Sequence, residues 1–325
     1  MNLKHLLLGP ALAASLASVT THAWAQDWPR QPIRLVVPYA AGGMTDVVAR
    51  IVGQRLGDAL GQPVVVENKP GASTITGADY VASAKPDGYT LLAATNATLS
   101  ANPWLYKNLR YDAVKSFSPI ALVAVAPSVI VLNPKVPAGS MAELVQLAKS
   151  KPGSLSYASY GNGSSAHLAG ELLRSRAGID VLHVPYKGSA PAKTATVAGE
   201  VSMTFEPAFT GAPLIKSGQL KAIAVMGSKR VDALPVVPTV AEVGYPGMEM
   251  QAWVGFVAPA GVPQPALARL ADEIRRIMAN PEVQKQLLGS GAEPVGYYLG
   301  DFAAYLKDES ARYQAVIEQA RIQAE

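Results

Sequence analysis

The sequence predicts an α/β fold of two domains, and three observations carry this prediction. Strand-like and helix-like segments alternate from residue 26 onward, which predicts a mostly parallel sheet with helices on both faces. Strand, glycine turn and helix then recur in the same order in both halves of the chain. About 300 residues remain after an N-terminal signal, which favours two domains of roughly 100–200 residues each.

The first 25 residues have the pattern of a secretory signal peptide. Lys4 and His5 precede an apolar run over residues 6–19, and Ala23-Trp24-Ala25 is a small-x-small cleavage site. We therefore expect a mature, exported, periplasmic chain that begins at Gln26. The apolar run is too short to span a membrane comfortably, and no later stretch is both long enough and free of charge.

Composition excludes several classes of site. The chain has no cysteine, so it has neither disulfides nor thiolate metal ligands nor a cysteine nucleophile. Loss of Lys4 with the signal lowers the net charge from +4 to +3, and the basic residues form no run or stripe, so we expect no nucleic-acid partner. Two histidines remain, His167 and His183, without the spacing of a zinc site.

Hydrophobic periodicity and turn residues place the elements of the first half. Residues 118–132 form the longest apolar run of the mature chain, and we expect Pro127 to divide it into two strand pieces. A crossing between domains is expected near residues 124–127. The other expected elements, in order, are a strand at Ile33–Val37, a helix over 45–60 ended by Gly61, strands at 63–67 and 89–93 around a short helix over 77–84, and a turn over 96–100 that leads into a short helix.

The second half repeats this order. Ser140 followed by Glu143 forms a capping box at the start of its first helix. The return crossing is expected just before residue 251, so the predicted domains are 26–125 with 247–325, and 126–246. The expected helices cover 140–149, 167–177, 191–198, 207–217, 265–280 and 301–324, and the expected strands cover 155–159, 181–184, 201–205, 221–225 and 251–258.

Two glycine turns are the strongest candidates for a binding site. In the first, Gly42-Gly43 follows the strand Ile33–Val37, and Thr45 or Asp46 is placed to cap the next helix. In the second, residues 160–165 (YGNGSS) follow a strand in the same way. Such turns aim backbone N–H groups outward at the positive end of a helix dipole, where an anion binds. Since neither a dinucleotide nor a P-loop fingerprint is present, we interpret the pair as a clamp for a small carboxylate.

Six segments together resemble one protein family. They are LVVPYAAGGMTDVVAR, VVVENKPGAS, YGNGSSAHLAGELL, VPYKGSAPA, PTVAEVGYPG and WVGFVAPAGVP, and they run in order over essentially the whole mature chain. The pattern resembles the solute receptors of tripartite tricarboxylate transporters, also called Bug-type receptors. The resemblance implies a type II periplasmic binding protein with two α/β domains, a ligand cleft between them and two crossing strands. It also implies membrane permease subunits as partners.

The resemblance, together with the turns, gives the expected ligand-binding residues. No catalytic residue, metal or cofactor is expected, and we expect a monomer. The family often has Phe and Pro where this chain has Tyr39 and Ala41, and Asp where it has Glu206. The expected site comprises Tyr39, Ala41, Gly42, Gly43, Thr45, Asp46, Asn96, Thr98, Ser159, Tyr160, Gly161, Asn162, Gly163, Ser164, Ser165, His167, Tyr186, Lys187, Phe205 and Glu206.

Several of these residues have a structural interpretation beside the functional one. Asp46 holds ligand-bound water or positions the turn, with a helix cap as the structural alternative. Ser164 and Ser165 either donate to a carboxylate or cap their helix. His167 is interpreted as support behind the turn. Glu206 is interpreted as a helix-capping acid ahead of Pro207, with a role in the cleft as the alternative.

The tyrosines and the lysine of the expected site also have two interpretations each. The tyrosines at the turns either contact the ligand or belong to the core. Lys187 is interpreted as solvated, with steering of an anion as the alternative.

The predicted function is capture of a small organic carboxylate by domain closure and delivery to a membrane transporter. Dicarboxylates, tricarboxylates and aromatic carboxylates are the candidate ligands. One alternative is the same capture for a membrane sensor. Another is a secreted serine hydrolase that uses Ser164 or Ser165 with His167, although GNGSS only loosely resembles a nucleophile elbow. A purely structural interaction module is the third.

Overall fold

The computed structural model describes residues 28–289, 292–320 and 322. The predicted signal peptide and its cleavage site lie outside these residues. Ten strands are described: β1 (Ile33–Val37), β2 (Val64–Asn68), β3 (Thr90–Ala94), β4 (Phe117–Leu132), β5 (Ser156–Ser159), β6 (Leu182–Pro185), β7 (Met203–Pro207), β8 (Lys221–Val225), β9 (Gln251–Pro259) and β10 (Glu293–Tyr298).

Helices alternate with these strands along most of the chain. Gly61 ends the first helix in a left-handed conformation, as expected of a glycine C-cap. A π-helical turn at Ala97–Ala101 leads into the third helix. The helices are α1 (Met44–Leu60), α2 (Ile75–Ala82), α3 (Asn102–Leu105), α4 (Met141–Ser150), α5 (Ser165–Ala177), α6 (Ser189–Ala198), α7 (Ala208–Lys216), α8 (Gln264–Met278), α9 (Pro281–Gly289) and α10 (Gly300–Gln319).

The strands form one continuous path, β2-β1-β3-β9-β4-β7-β5-β6, with β10 and β8 also paired to β4. Strand β1 is parallel to β2 and β3, and β5 is parallel to β6 and β7. All pairs that involve β4 or β9 are antiparallel. The expected parallel arrangement therefore holds on both flanks, whereas the centre is antiparallel because the chain crosses there and returns.

Strand β4 connects two lobes. We call β1–β3, β9 and β10 with α1–α3 and α8–α10 the first lobe, and β5–β8 with α4–α7 the second lobe. Residues up to Pro127 pair with β9, and residues from Ser128 pair with β7 and β8. Close to this junction Met250, just ahead of β9, accepts from Ser128 N at 2.9 Å. The predicted residue limits of the domains stay a prediction.

The division of residues 118–132 into two strand pieces was wrong. Strand β4 is continuous through Pro127. Proline lacks the N–H that a central strand needs, but Pro127 stands where β4 leaves its ladder with β9 and begins its ladder with β7. The missing donor falls between two ladders, so the strand continues.

Two elements near the C-terminus were not predicted. Helix α9 and strand β10 occupy a Gly- and Pro-containing stretch between the two long helices, and β10 pairs with β4 through an irregular register. Tertiary pairing rather than local pattern supports this strand. In the part of the chain that the structure describes, no helix has both the length and the apolar character needed to cross a membrane.

Candidate functional site

A cavity of about 20 Å³ lies between the lobes, room for little more than one water molecule. Its wall is built where β1, β3, β5 and β7 end, the usual place for a ligand in α/β sheets. The start of β9 closes the remaining side. The lining residues are Tyr39, Gly43, Met44, Thr45, Thr95, Asn96, Tyr160, Ser165, Ser189, Pro207, Ala252 and Trp253.

Four helices begin at this cavity. Gly43 is the N-cap of α1, Pro207 is the N-cap of α7, and Ser165 and Ser189 are the first residues of α5 and α6. Helices α1, α6 and α7 have no side-chain cap, so their first N–H groups are available to a ligand. No lining residue carries a charged side chain. The positive helix ends therefore give the cavity its preference for anions.

The first glycine turn is held by Asp46. Its carboxylate accepts from Gly42 N at 3.0 Å, from Arg50 Nε and Nη2 at 3.0 and 2.9 Å, and from Asn68 Nδ2 at 2.9 Å. Burial raises the pKa of Asp46, but the hydrogen bonds from Arg50, Gly42 and Asn68 outweigh it and lower the pKa overall. The interpretation of Thr45 or Asp46 as the cap of α1 was wrong, because α1 has no side-chain cap. The alternative in which Asp46 positions the turn is confirmed, because its carboxylate reaches back past the helix start to Gly42.

The second glycine turn is held by neutral groups. His167 Nδ1 accepts from Gly163 N at 3.0 Å, which agrees with its interpretation as support. Ser164 caps α5 by accepting from His167 N at 3.3 Å. Behind them, Ser159 Oγ lies 2.7 Å from His183 Nε2, and the two imidazole rings stack with centroids 4.4 Å apart.

Both histidines are neutral at physiological pH. Burial lowers the pKa of His167 to about 4, and Arg174 contributes in the same direction. Burial, followed by the neighbouring His167, lowers the pKa of His183 to about 3. The support behind the second turn therefore depends on both rings remaining uncharged.

The lobes touch at both turns. Ala40 N donates to Lys187 O at 3.1 Å across the cleft. A Cβ built on Gly43 would lie 2.7 Å from Ser189 Oγ, and one on Gly163 would lie 2.9 Å from Leu105 Cδ1. These contacts, together with the small cavity, describe a closed arrangement in which a ligand larger than water enters only if the lobes separate.

Neutral hydroxyl and amide groups line the walls. Tyr39 Oη lies 3.3 Å from Thr95 Oγ1, and burial raises the Tyr39 pKa to about 12. Tyr160 donates to Phe205 O, and the unpartnered Ser165 Oγ lies beside the Tyr160 phenol without meeting hydrogen-bond geometry. These groups are protonated at neutral pH and act as hydrogen-bond donors or acceptors, not as charges.

Asn96 links the cavity to α10. Its Nδ2 donates to Tyr313 Oη at 2.6 Å. Thr98 is fully buried and donates to Thr74 at 3.1 Å, so it supports the wall from behind. Thr74 ends three consecutive residues, 72–74, with left-handed backbone angles, a strained arrangement of the kind that surrounding contacts must hold in place.

Glu206 does not cap a helix, so that interpretation was wrong. It lies fully buried in β7, where its Oε1 accepts from Thr210 and lies 3.6 Å from Lys193 Nζ. Its Oε2 has no partner. Burial, only partly offset by Lys193 and Thr210, raises the Glu206 pKa to about 7. The side chain lies behind the cavity wall, next to the lining residue Pro207.

The twenty predicted site residues fall into three groups. Six line the cavity: Tyr39, Gly43, Thr45, Asn96, Tyr160 and Ser165. Nine lie behind the wall or within the turns, namely Asp46, Thr98, Ser159, Gly161, Gly163, Ser164, His167, Phe205 and Glu206. Five lie nearer the surface, namely Ala41, Gly42, Asn162, Tyr186 and Lys187. Their contact with a ligand stays a prediction.

Six lining residues were missed: Met44, Thr95, Ser189, Pro207, Ala252 and Trp253. Pro207 directly follows the predicted Glu206, Thr95 directly precedes the predicted Asn96, and Ser189 lies two residues after the predicted Lys187. Extending each motif by one or two residues therefore finds them. Ala252 and Trp253 lie in the predicted strand 251–258, which gave no local signal of a binding role, because their place at the cavity depends on the pairing of β9 with β4.

The geometry gives no support to a serine hydrolase. Neither Ser164 nor Ser165 is hydrogen-bonded to the His167 ring, and Nδ1 of that ring is occupied by Gly163 N. Within the described residues, no cluster of three or more His, Asp or Glu side chains is arranged to hold a metal ion.

Comparison with known proteins decides the family. The model of the tripartite tricarboxylate transporter family receptor matches residues 48–322. This chain is a receptor of that family. The receptor is 34% identical to Protein BugT of Bordetella pertussis over 98% of both chains. Two solved structures from Rhodopseudomonas palustris share its two-domain α/β fold: Rpa4515 with adipate (33% identity, TM-score 0.89, 91% and 99% coverage) and MatC with bound malate (32%, 0.85, 89% and 100%).

Proposed function

We propose that this receptor captures a small organic carboxylate in the cleft by closure of its lobes and delivers it to a tripartite membrane transporter. One observation carries the proposal: four helix N-termini, three of them without a side-chain cap, converge on a cavity that has no charged side chain. An anion is the ligand that such an array stabilises, because N–H groups and helix dipoles replace its lost water.

A carboxylate fits this array better than a phosphate. A singly charged, planar group needs few donors, and the hydroxyls of Thr45, Ser165 and Ser189 supplement the backbone N–H groups. Hydrogen bonds to an ionised acceptor contribute about 1.5–3 kcal/mol each. The adipate and malate of the two related structures support a dicarboxylate as the ligand class, while a tricarboxylate or an aromatic carboxylate remains within the same proposal.

Export to the periplasm and action as a monomer are part of the proposal. The N-terminal signal pattern supports export. Closure of the lobes is supported by the contacts at Gly43, Gly163 and Ala40, because each of them must break before the ligand enters.

Thermal unfolding in a carboxylate panel tests the proposal. Adipate, malate, citrate and benzoate are compared with their uncharged amides. A ligand at 100 times its Kd adds about 2.7 kcal/mol of stability, so at least one carboxylate is expected to raise the Tm while its amide does not. If no carboxylate shifts the Tm, the proposal fails.

The hydrolase alternative has its own test. The parent protein and the Ser164→Ala/Ser165→Ala variant are assayed on p-nitrophenyl esters of the same acids. No turnover is expected from either protein, and ester hydrolysis that disappears in the variant would replace the receptor function with an enzymatic one.

A further inference from the structure

A second concave surface lies on the first lobe, outside the cleft. It is a groove of about 1060 Å³ between the segment 103–119 and helix α10. Buried and half-buried apolar side chains form its floor, and Trp104 and Val114 stand at its edge with exposed fractions of 44% and 85%. Large exposed apolar side chains grouped in one concavity are typical of a protein-interaction site.

The rim of the groove is cationic. Lys107, Arg110 and Lys307 are exposed around it, against one acidic lining residue, Asp112. Asp112 accepts from the backbone N–H groups of Val114 and Lys115, so its charge is already engaged locally. Arg110 is itself exposed and makes only a loose ion pair, at 3.8 Å, with the half-buried Asp79. The rim therefore offers positive charge to an acidic partner.

The groove shares its walls with the ligand cleft. Trp104 Nε1 on α3 donates to Ser310 Oγ on α10 at 3.0 Å. On the other side of α3, Leu105 meets Gly163 of the second lobe. Helix α10 likewise faces the cleft through Tyr313, which accepts from the cavity residue Asn96. One wall of the groove thus contacts the second lobe directly through Leu105, and the other contacts, through Tyr313, a residue that lines the cavity between the lobes.

We propose that this groove is where the closed, ligand-loaded receptor docks an acidic segment with apolar side chains, carried by its membrane transport partner. The apolar floor supplies burial, the cationic rim selects an acidic segment, and the shared walls make the groove sensitive to closure. A flat lipid surface does not reach a concave floor, which favours a protein segment over an anionic bilayer. The proposal rests on the receptor function proposed above.

Charge reversal tests the rim. Lys107→Glu/Arg110→Glu/Lys307→Glu is compared with Lys149→Glu/Lys151→Glu/Lys216→Glu, which reverses three exposed cations of the second lobe. Binding of the carboxylate found in the thermal screen is measured by calorimetry. Uptake of the same labelled carboxylate is measured in host spheroplasts that lack their own receptor and are supplied with each protein.

The groove variant is expected to bind the carboxylate within twofold of the parent, while uptake falls at least tenfold. The second-lobe variant is expected to keep both. Equal uptake with the two variants overturns the docking surface, as does loss of carboxylate binding in the groove variant. Failure of the parent itself to bind any carboxylate overturns the receptor function instead, so the two failures are distinguishable.

A cysteine label at the edge of the groove tests the docking surface without altering its charge. The chain has no cysteine, so Val114→Cys and Val236→Cys each carry a single thiol for a maleimide-polyethylene glycol. These valines are 85% and 83% exposed, and only Val114 lies at the groove. The label is expected to reduce uptake at position 114 and not at 236, and equal uptake overturns the proposal.

Vesicles of phosphatidylglycerol distinguish a lipid partner. Co-sedimentation with the parent is expected to be no greater than with the charge-reversed groove variant. Strong binding by the parent that the groove variant loses would assign the rim to an anionic membrane, and the protein-docking proposal would be wrong.

Discussion

The turn after β1 is held by the buried, ionised carboxylate of Asp46, whereas the turn after β5 is held by neutral rings inside the second lobe. Asp46 binds Arg50, whose side chain is 51% exposed, and fixes Gly42. His167 fixes Gly163 and stacks on His183. Two turns with the same strand–turn–helix geometry are thus stabilised differently, one by a charged side chain and the other by neutral side chains. We expect them to differ in their response to substitution, acid and salt.

Substitution of Gly43 is expected to have the largest effect. Gly43→Val places γ-carbons where the N-terminus of α1 meets Ser189, since even a Cβ would lie 2.7 Å from Ser189 Oγ. We expect at least a thousandfold loss of carboxylate affinity, about 4 kcal/mol, in calorimetry. Gly43→Ala/Ser189→Ala, which removes the clashing hydroxyl, is compared with Ser189→Ala, which accounts for the loss of that hydroxyl as a donor to the ligand. Unchanged affinity of Gly43→Val would mean that the first turn is not the ligand site.

Acid is expected to weaken the second turn first. The His167 pKa is about 4 in the folded protein against 6.5 unfolded, so the unfolded state binds more protons below pH 6.5. Stability is therefore lost as pH falls from about 6.5 to 4, by about 3 kcal/mol for His167. The lowered Asp46 pKa acts only at more acidic pH, since its unfolded value is already 3.8.

Titration of Glu206 changes the free energy of unfolding in the opposite direction over the same pH range. Its contribution must therefore be removed from the measurement by substitution. Its folded pKa of about 7 lies above the unfolded 4.5, so the folded state binds more protons in this window and its contribution falls as pH rises. Urea unfolding of Glu206→Gln is therefore compared with Glu206→Gln/His167→Gln at pH 7 and near pH 4. Between pH 7 and pH 4, Glu206→Gln should lose more free energy of unfolding than the double variant. Equal losses in the two variants would contradict the role of the neutral His167 ring.

Loss of the carboxylate in the first turn is expected to have an intermediate effect. Asp46→Asn replaces one carboxylate oxygen with an amide NH2 group. In the parent that oxygen accepts from N–H donors, which would then face another donor, at a cost of about 2 kcal/mol of stability. Arg50→Met removes only the half-exposed partner and should cost less than about 1 kcal/mol. Chemical denaturation in low and high salt measures both, and equal losses would show that the ion pair, not the bond to Gly42, holds the turn.

The smallest effect is expected at the cap of α5. Ser164→Ala removes the bond from His167 N and should cost about 1 kcal/mol of stability, with ligand affinity changed severalfold at most. Ser164→Asp, which retains a capping oxygen, should recover the stability. An affinity loss as large as that of Gly43→Val would show that Ser164 contacts the ligand directly.

The sequence by itself determined the elements that local rules specify. Helical spacing of Val48, Val52 and Leu56, with Gly61 as terminator, defines α1. Ser140 and Glu143 define the start of α4, where Ser140 accepts from Glu143 N as expected. The two glycine turns were also predictable, because only a few residue types permit a sharp return of the chain into a helix.

Tertiary structure alone decided what those turns do together. Strand β4 continues through Pro127 because its pairing partner changes there from β9 to β7. Strand β10 forms only by pairing with β4, and the pairing of β9 places Trp253 at the cavity. Tertiary structure also buried Glu206 beside Lys193 and gave the two turns their different supports. These outcomes depend on residues distant in sequence, because pairing and burial are set by the neighbour that arrives in space and not by the local pattern.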